Sequence, residues 1–196
     1  MNNIISAIYE RRAVRKYKEQ PLTKELVDQL IDAAKMAPSA MNRQPWKFYV
    51  LTNKTIIHSL AKEIMHHAIK EIRHITITDA IKATLGFFHF STIKDYLTGD
   101  DHVFYGAPAV IFITVPKADE WGAIDVGMCA QNIMLAAKAM GLDTCPIGFA
   151  KYVSQARDYH LLNIPDKEEV QLAVIVGYGY EQPKPHERIE DNVVYI

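Results

Sequence analysis

Three arginines, Arg11, Arg12 and Arg15, fall within five positions near the start of the chain, and Arg188 is the only arginine of the tail Gln182–Ile196. A guanidinium is planar and presents paired donors, which suits it to phosphate. Arg11 and Arg15 are four apart, so on a continuing helix both point the same way, and from a bend they still converge on one anion. A solvated basic face fits the same cluster, and spacing alone does not decide between the two. The second candidate is Ala37–Trp46, APSAMNRQPW, where Ser39, Asn42, Arg43 and Gln44 place four hydrogen-bonding side chains in six positions. Pro38 and Pro45 fix much of the backbone, and Trp46 is costly to leave in water. Rigidly held polar groups suit ligand binding, although a plain surface connector is the alternative. Together the two stretches read as halves of a site for an anion-bearing cofactor.

Other chemistries find less support. Cys129 and Cys145 have no CxxC partner, which suggests reduced thiols, and no paired base marks Cys145 as a nucleophile. His58, His66, His67 and His74 lie in a helix-like stretch without HExxH or a specified third ligand, so exposed histidines are expected and no metal. The isolated GYG at Gly177–Gly179 lacks the strand–GxGxxG–helix context of a dinucleotide fingerprint, and GxxxxGK[ST] does not occur. Asp125 and Asn132 fall on one side of a helix, where satisfying neighbouring backbone groups is a better account than catalysis.

The elements that must position these residues follow from hydrophobic patterning. Asn3 caps a short helix with Ile4, Ile5 and Ile8 toward a core, and Thr23 caps a second running to about Ala37. Lys47–Thr52 reads as a strand, and residues 55–75 read as a helix with Ile57, Leu60, Ile64 and Ala68 on one face. The span Thr76–Tyr105 is aromatic, fitting either a roof over a planar ligand or a packed helix hairpin. Ala109–Val115 and Val170–Tyr178 read as buried strands. Trp121–Met140 is an unusually apolar helix stopped by Gly141, with Gly122 and Gly127 permitting close backbone contact. Thr144–Ile147 is too short and proline-broken for a firm strand assignment, and Ser154 caps a helix over Gln155–Leu162. Val193–Ile196 is a β-prone end that covers its own core or adds a strand to a partner.

The 196 residues fit one domain, and 49% apolar content with a net charge of −1 gives no general nucleic-acid signal. No 18-residue charge-free apolar run suggests a membrane span, and MNNIISAIYERR lacks a secretory leader pattern, so a cytoplasmic protein is expected.

With its motifs in this order, the chain resembles the FMN-dependent nitroreductase family, as a compact short-chain member, over nearly its whole length. RRxxR at Arg11–Arg15, PSAxNxQPW at Pro38–Trp46, DxGxxxQNxxLAAxxxGL at Asp125–Leu142, CPIG at Cys145–Gly148 and the late Arg188 carry the resemblance. It implies one α+β domain over residues 1–196, with a central mixed β-sheet surrounded by helices. It further implies an intertwined homodimer with two FMN sites at its interface and a dimer-exchange tail at about 182–196. On this resemblance Arg11, Arg12 and Ala13 begin the FMN-binding segment, with Arg11 and Arg188 on the phosphate. Arg15 stabilises negative charge near flavin N1/O2. Pro38, Ser39, Ala40 and Asn42 come from the opposite subunit, with Gln44 organising their loop. Pro146, Ile147 and Gly148 lie beside the isoalloxazine, where Gly148, like Arg15, is a flavin-tuning position.

Three departures concern tuning and substrate choice. Ala13 stands where many relatives carry serine, Phe149 follows CPIG where some larger members have glutamate, and the middle segment has no clear match to a flavin-contacting asparagine. The mechanism implied is ping-pong: NADH or NADPH reduces FMN and leaves, and a nitroaromatic, quinone or related small-molecule acceptor follows. No side-chain nucleophile is required. The alternatives are a non-enzymatic flavin-binding dimer and a structural homodimer without flavin.

Overall fold

The computed structural model describes residues 3–72 and 101–196. Four strands, β1 (Lys47–Leu51), β2 (Ala109–Pro116), β3 (Asp143–Ile147) and β4 (Glu168–Gly177), form one sheet in the order β1-β2-β4-β3. Every strand pair is antiparallel. Among the described residues, the mixed character expected of the sheet rests on a single parallel bridge, Ala13 to Thr144. Helices α1 (Asn3–Glu10), α2 (Lys24–Lys35), α3 (Lys54–Ile72) and α4 (Gly122–Ala139) complete the described elements with 3₁₀ segments at Ala40–Asn42, Gly148–Gln155 and Arg157–Leu162.

The period-two alternation of β2 builds two cores. Val110 and Phe112 point into a cluster with Ile57, Leu60, Ile64, Phe104 and Ala150, while Ile111, Ile113 and Val115 pack with Leu30, Trp46, Val126 and Ile133. The sheet is therefore covered on one face by α3 and the 3₁₀ segments Gly148–Gln155 and Arg157–Leu162, and on the other by α2 and α4. A strand buried on both faces must be apolar throughout, which explains the AVIFITV run. Thr23 caps α2 by accepting from Leu26 N at 3.4 Å. Gly141, at φ +74, terminates α4 in the left-handed region. Gly122 supplies the expected close approach, since a Cβ there would lie 2.8 Å from Val115 Cγ2, whereas Gly127 faces open space.

Several expectations are corrected. Ile4, Ile5 and Ile8 do not enter a core of their own chain; they are 64%, 43% and 46% exposed. Thr144–Ile147 does belong to a strand, β3, bonded fully on one side only, where the proline's missing donor is tolerated. Ser154 lies inside the first long 3₁₀ segment and does not start a helix; the chain breaks at the extended Ala156, and Arg157–Leu162 is a separate 3₁₀ turn. Most of the expected roof, residues 76–100, lies outside the described residues. Val193–Ile196 is exposed and carries no strand.

Candidate functional site

The arginine stretch leaves α1 as an extended segment laid along the ends of β3 and β4. Val14 N donates to Thr144 O at 3.0 Å, Lys18 N to Tyr178 O at 2.8 Å, and Tyr180 N to Lys16 O at 3.2 Å. Two side chains anchor it inward: Val14 is buried, and the buried Tyr17 hydroxyl donates to Val14 O at 2.7 Å. The GYG that makes no dinucleotide fingerprint has a packing purpose here. A Cβ on Gly177 would lie 2.6 Å from Pro108 Cδ and 2.8 Å from Tyr17 Cδ1, and one on Gly179 would lie 2.7 Å from Asp143 Oδ2 and 2.8 Å from Val14 Cγ1. Only glycine lets the segment lie this close.

This placement gathers cations. The Arg11 guanidinium is half-buried, and its pKa is held below the ordinary arginine value by burial first, then by the neighbouring charges of Arg12 and Arg188. Arg12 donates to Tyr9 O and Arg11 O at 2.6 and 2.8 Å, yet its Nε is buried without a hydrogen-bond partner. Ala13 bridges Thr144, so the cluster stands beside Cys145, Pro146, Ile147 and Gly148 at the end of β3. Cys145 is buried, and burial pushes its thiol up despite the opposing pull of Arg15 and Arg11, which argues against a reactive thiolate. Gly148 opens the following 3₁₀ segment, and the direction its missing Cβ would take is empty. Arg15 lies beyond, its backbone N–H donating to Glu181 Oε1 at 2.6 Å.

The loop after α2 is built differently. Met41, Asn42 and Gln44 all have positive φ, at +52, +54 and +48, an unusual density of left-handed non-glycine residues. Local hydrogen bonds hold it: Gln44 N donates to Ser39 Oγ at 2.9 Å, and Gln44 Nε2 to Asn42 Oδ1 at 3.0 Å. Two carboxylates pin it from outside, Ala40 N donating to the buried Asp125 at 3.1 Å and Arg43 pairing with Asp119 at 2.7 Å. Asn132 Nδ2 donates to Ala33 O at 3.1 Å, so Asp125 and Asn132 do satisfy backbone groups as their spacing suggested. Asp119 was not singled out by sequence reasoning; its DxxG-like place before α4 carries no pattern that marks it.

Arg11, Arg12, Ala13, Pro146, Ile147, Gly148 and Arg188 are thus brought to one end of the sheet, with Arg15 alongside. Pro38, Ser39, Ala40 and Asn42 are not brought to them: their bonds run to α4 and within their own loop. A shallow hollow lined by Lys35, Gln44, Trp46, Lys47, Phe48 and Tyr49 lies against that loop, away from the arginines. Among the described residues no helix is long and apolar enough to cross a membrane, and no group of His, Cys, Asp or Glu could hold a metal ion.

A sheet covered by helices on both faces, with a basic cluster at one end, defines an α+β fold. The nitroreductase family profile matches residues 8–178. The chain belongs to the nitroreductase family. It is 29% identical over 196 aligned positions to the 4-nitrobenzoate reductase of Pseudomonas putida, covering 90% of this chain and 85% of the relative. It is 30% identical over 200 positions to the nitrobenzene nitroreductase of Ectopseudomonas oleovorans, covering 88% and 85%. The crystal structure of a nitroreductase with bound FMN from Desulfitobacterium hafniense DCB-2 superposes with a TM-score of 0.78 at 25% identity, over 100% of this chain and 99% of that one. A nitroreductase with bound FMN from Bacteroides fragilis NCTC 9343 shares the fold, with a TM-score of 0.76 at 21% identity over 100% and 99%.

Proposed function

We propose that this chain is an FMN-dependent oxidoreductase that takes reducing equivalents from NADH or NADPH and delivers them to a nitroaromatic, quinone or related acceptor. The observation that carries the reading is the cluster of Arg11, Arg12 and Arg188 at the end of β3. Arg12 and Arg188 both disfavour the charge on Arg11, and a buried Arg12 Nε has no partner. A phosphate dianion fits this donor set, because it offsets the mutual repulsion and supplies the acceptors the guanidinium groups need. The nitroaromatic side of the reading draws on the relatives named above.

Arg11, Arg12 and Arg188 hold the FMN phosphate. Backbone groups of Pro146, Ile147 and Gly148 orient the ring edge, with Ala13 packing the segment against Thr144. Arg15 keeps a positive charge at the pyrimidine edge before the reaction begins, so negative charge arising there meets a fixed cation without reorganisation. When bound, FMN supplies the redox chemistry, accepting a hydride and passing electrons to the acceptor. The chain's part is to hold nicotinamide and acceptor in turn over one face and to fix the surrounding charge. Ser39 and Asn42, with Pro38 and Ala40, serve the FMN of the partner subunit in a homodimer that covers α1 and closes with the tail at about 182–196.

Anaerobic absorbance titration of FMN-loaded protein with each nicotinamide tests cofactor retention and the first half-reaction together. Bleaching of the flavin band by NADH or NADPH, reversed by a nitroaromatic or quinone, is expected. Retained flavin that neither nicotinamide bleaches would point instead to a flavin-binding protein without this activity.

A further inference from the structure

Arg15 is the most exposed member of the arginine segment's functional trio with Arg11 and Arg12, and a long exposed side chain ordinarily samples many rotamers. Its surroundings restrict it. The guanidinium lies over the ring of Tyr105, 5.9 Å from the centroid, within the range of a cation–π contact. Tyr105 is itself fixed from two sides. Its body is packed against the core that contains Val14, Phe104 and Cys145. Its backbone sits at φ +55, followed by Gly106 at +67, two consecutive left-handed residues.

A left-handed tyrosine is strained and persists only where the surroundings impose it. Asp101 imposes it. Asp101 Oδ1 accepts from Val103 N at 3.0 Å and Phe104 N at 2.7 Å, and Oδ2 accepts from Gly106 N at 3.2 Å. One carboxylate thus wraps the turn whose apex carries the ring. From the opposite direction, Glu181 fixes the Arg15 backbone through its N–H.

We infer that Tyr105, held in a left-handed turn by Asp101, is a positioning residue that keeps the Arg15 guanidinium aimed at the pyrimidine edge of the bound flavin. This rests on the role given to Arg15 above. Tyr105 supplies neither proton nor charge: burial pushes its phenol up from its ordinary value against the opposing charge and hydrogen bond of Arg15, so ring face and hydroxyl oxygen both meet the cation. A cation already ordered before negative charge arises stabilises it more than one that must first be gathered from solvent.

The test is a double-mutant cycle on FMN-loaded protein, read by the midpoint potential of the bound flavin and by stopped-flow reduction with NADH or NADPH. Arg15→Gln should move the potential to more negative values. Tyr105→Leu should move it the same way by a smaller amount and slow reduction about fivefold, while FMN affinity stays within about twofold of wild type. Tyr105→Leu added to Arg15→Gln should change the potential no further, and Tyr105→Phe, which keeps the ring but loses the hydroxyl's bond to Arg15, should fall between wild type and Tyr105→Leu. A potential moved by Arg15→Gln but not by Tyr105→Leu overturns the positioning role and leaves the assignment of Arg15 intact. A potential that Arg15→Gln leaves in place overturns both. An effect of Tyr105→Leu that persists in Arg15→Gln, or that Tyr105→Phe reproduces in full, also rejects the stacked clamp. Should Tyr105→Leu fail to fold, Asp101→Asn replaces it in the cycle, since it keeps the Oδ1 acceptor and removes the carboxylate oxygen facing Gly106 N.

Discussion

Replacing Arg11 with methionine separates a ligand-binding arginine from a structural one by the sign of its effects. Methionine keeps the backbone bond from Arg11 N to Ala7 O at 2.9 Å and most of the aliphatic stem, and removes the charge. Without FMN, that charge sits half-buried beside Arg12 and Arg188, and its pKa is lowered by burial and by both neighbours. Its removal therefore relieves the FMN-free protein, and the melting temperature should stay level or rise. With FMN, the same change deletes a charge-assisted bond to phosphate worth about 1.5–3 kcal/mol, or roughly a 10- to 150-fold rise in Kd. Equilibrium dialysis of the stripped protein against FMN gives the second quantity, and thermal unfolding without FMN gives the first. The wild-type affinity should also weaken with added salt more than that of Arg11→Met. A variant that unfolds earlier without FMN but binds it as wild type does would refute the reasoning, since Arg11 would then be a scaffold residue.

Gly179, just beyond β4, should act on the same site from a distance. Gly179→Ala drives a methyl into Val14 and Asp143, and the resulting shift of the arginine segment should weaken FMN binding as well as stability; dialysis showing wild-type affinity would break that link. Glu168 is a separate structural staple, a buried carboxylate accepting from Lys47, from Tyr49 OH at 2.8 Å and from Thr114 Oγ1 at 2.8 Å. Burial alone would raise its pKa, but the three donors outweigh burial and hold it below the ordinary glutamate value, so its stabilisation is full above the unfolded pKa and is lost as pH falls through the folded one. Glu168→Gln should cost about 1–3 kcal/mol in a denaturant titration at neutral pH and progressively less in acid; a pH-independent difference would sink this account. Removal of residues 192–196 keeps Arg188 and deletes the exposed Val193, Val194, Tyr195 and Ile196. If the tail clasps a partner, sedimentation across concentration should show weaker dimerisation with faster FMN loss, and an equally tight dimer with unchanged FMN would exclude the clasp.

How far the sequence could be read depended on whether a signal was local. The AVIFITV run is legible because a strand covered on both faces needs no polar residues, and the helix face of Ile57, Leu60, Ile64 and Ala68 is legible from its period. Pro146 hid β3, because proline argues against a strand until the strand is known to lie at an edge of the described sheet. Ser154 misled for the opposite reason: its capping chemistry is real, but the chain there takes 3₁₀ turns interrupted at Ala156. The arginines and the CPIG turn were marked by residue type, yet nothing in their spacing said that Gly177 and Gly179 would let one lie on the other. Nor could any local pattern single out Asp101 or Tyr105, which belong to a turn that meets Arg15 from far along the sequence.

Ile4, Ile5 and Ile8 mark the limit of periodicity in a different way. The apolar face is present as expected, but a helical stripe states only that something must cover it. In this chain α1 packs on α4, and Trp121, Ile124 and Met128 of the α4 region are 46%, 51% and 42% exposed. Met41, at 82% exposed, stands on the strained loop that carries Ser39 and Asn42. That loop holds three left-handed residues and is pinned by Asp119 and Asp125. Under the proposed dimer these observations have one cause. A two-fold axis would cover the apolar helices and carry each loop to the other subunit's arginine edge, so that assembly and FMN binding strengthen each other. The same linkage gives the dimer a chemical signature: dilution should release FMN and subunits together, and FMN should tighten the dimer by the factor by which dimerisation tightens FMN.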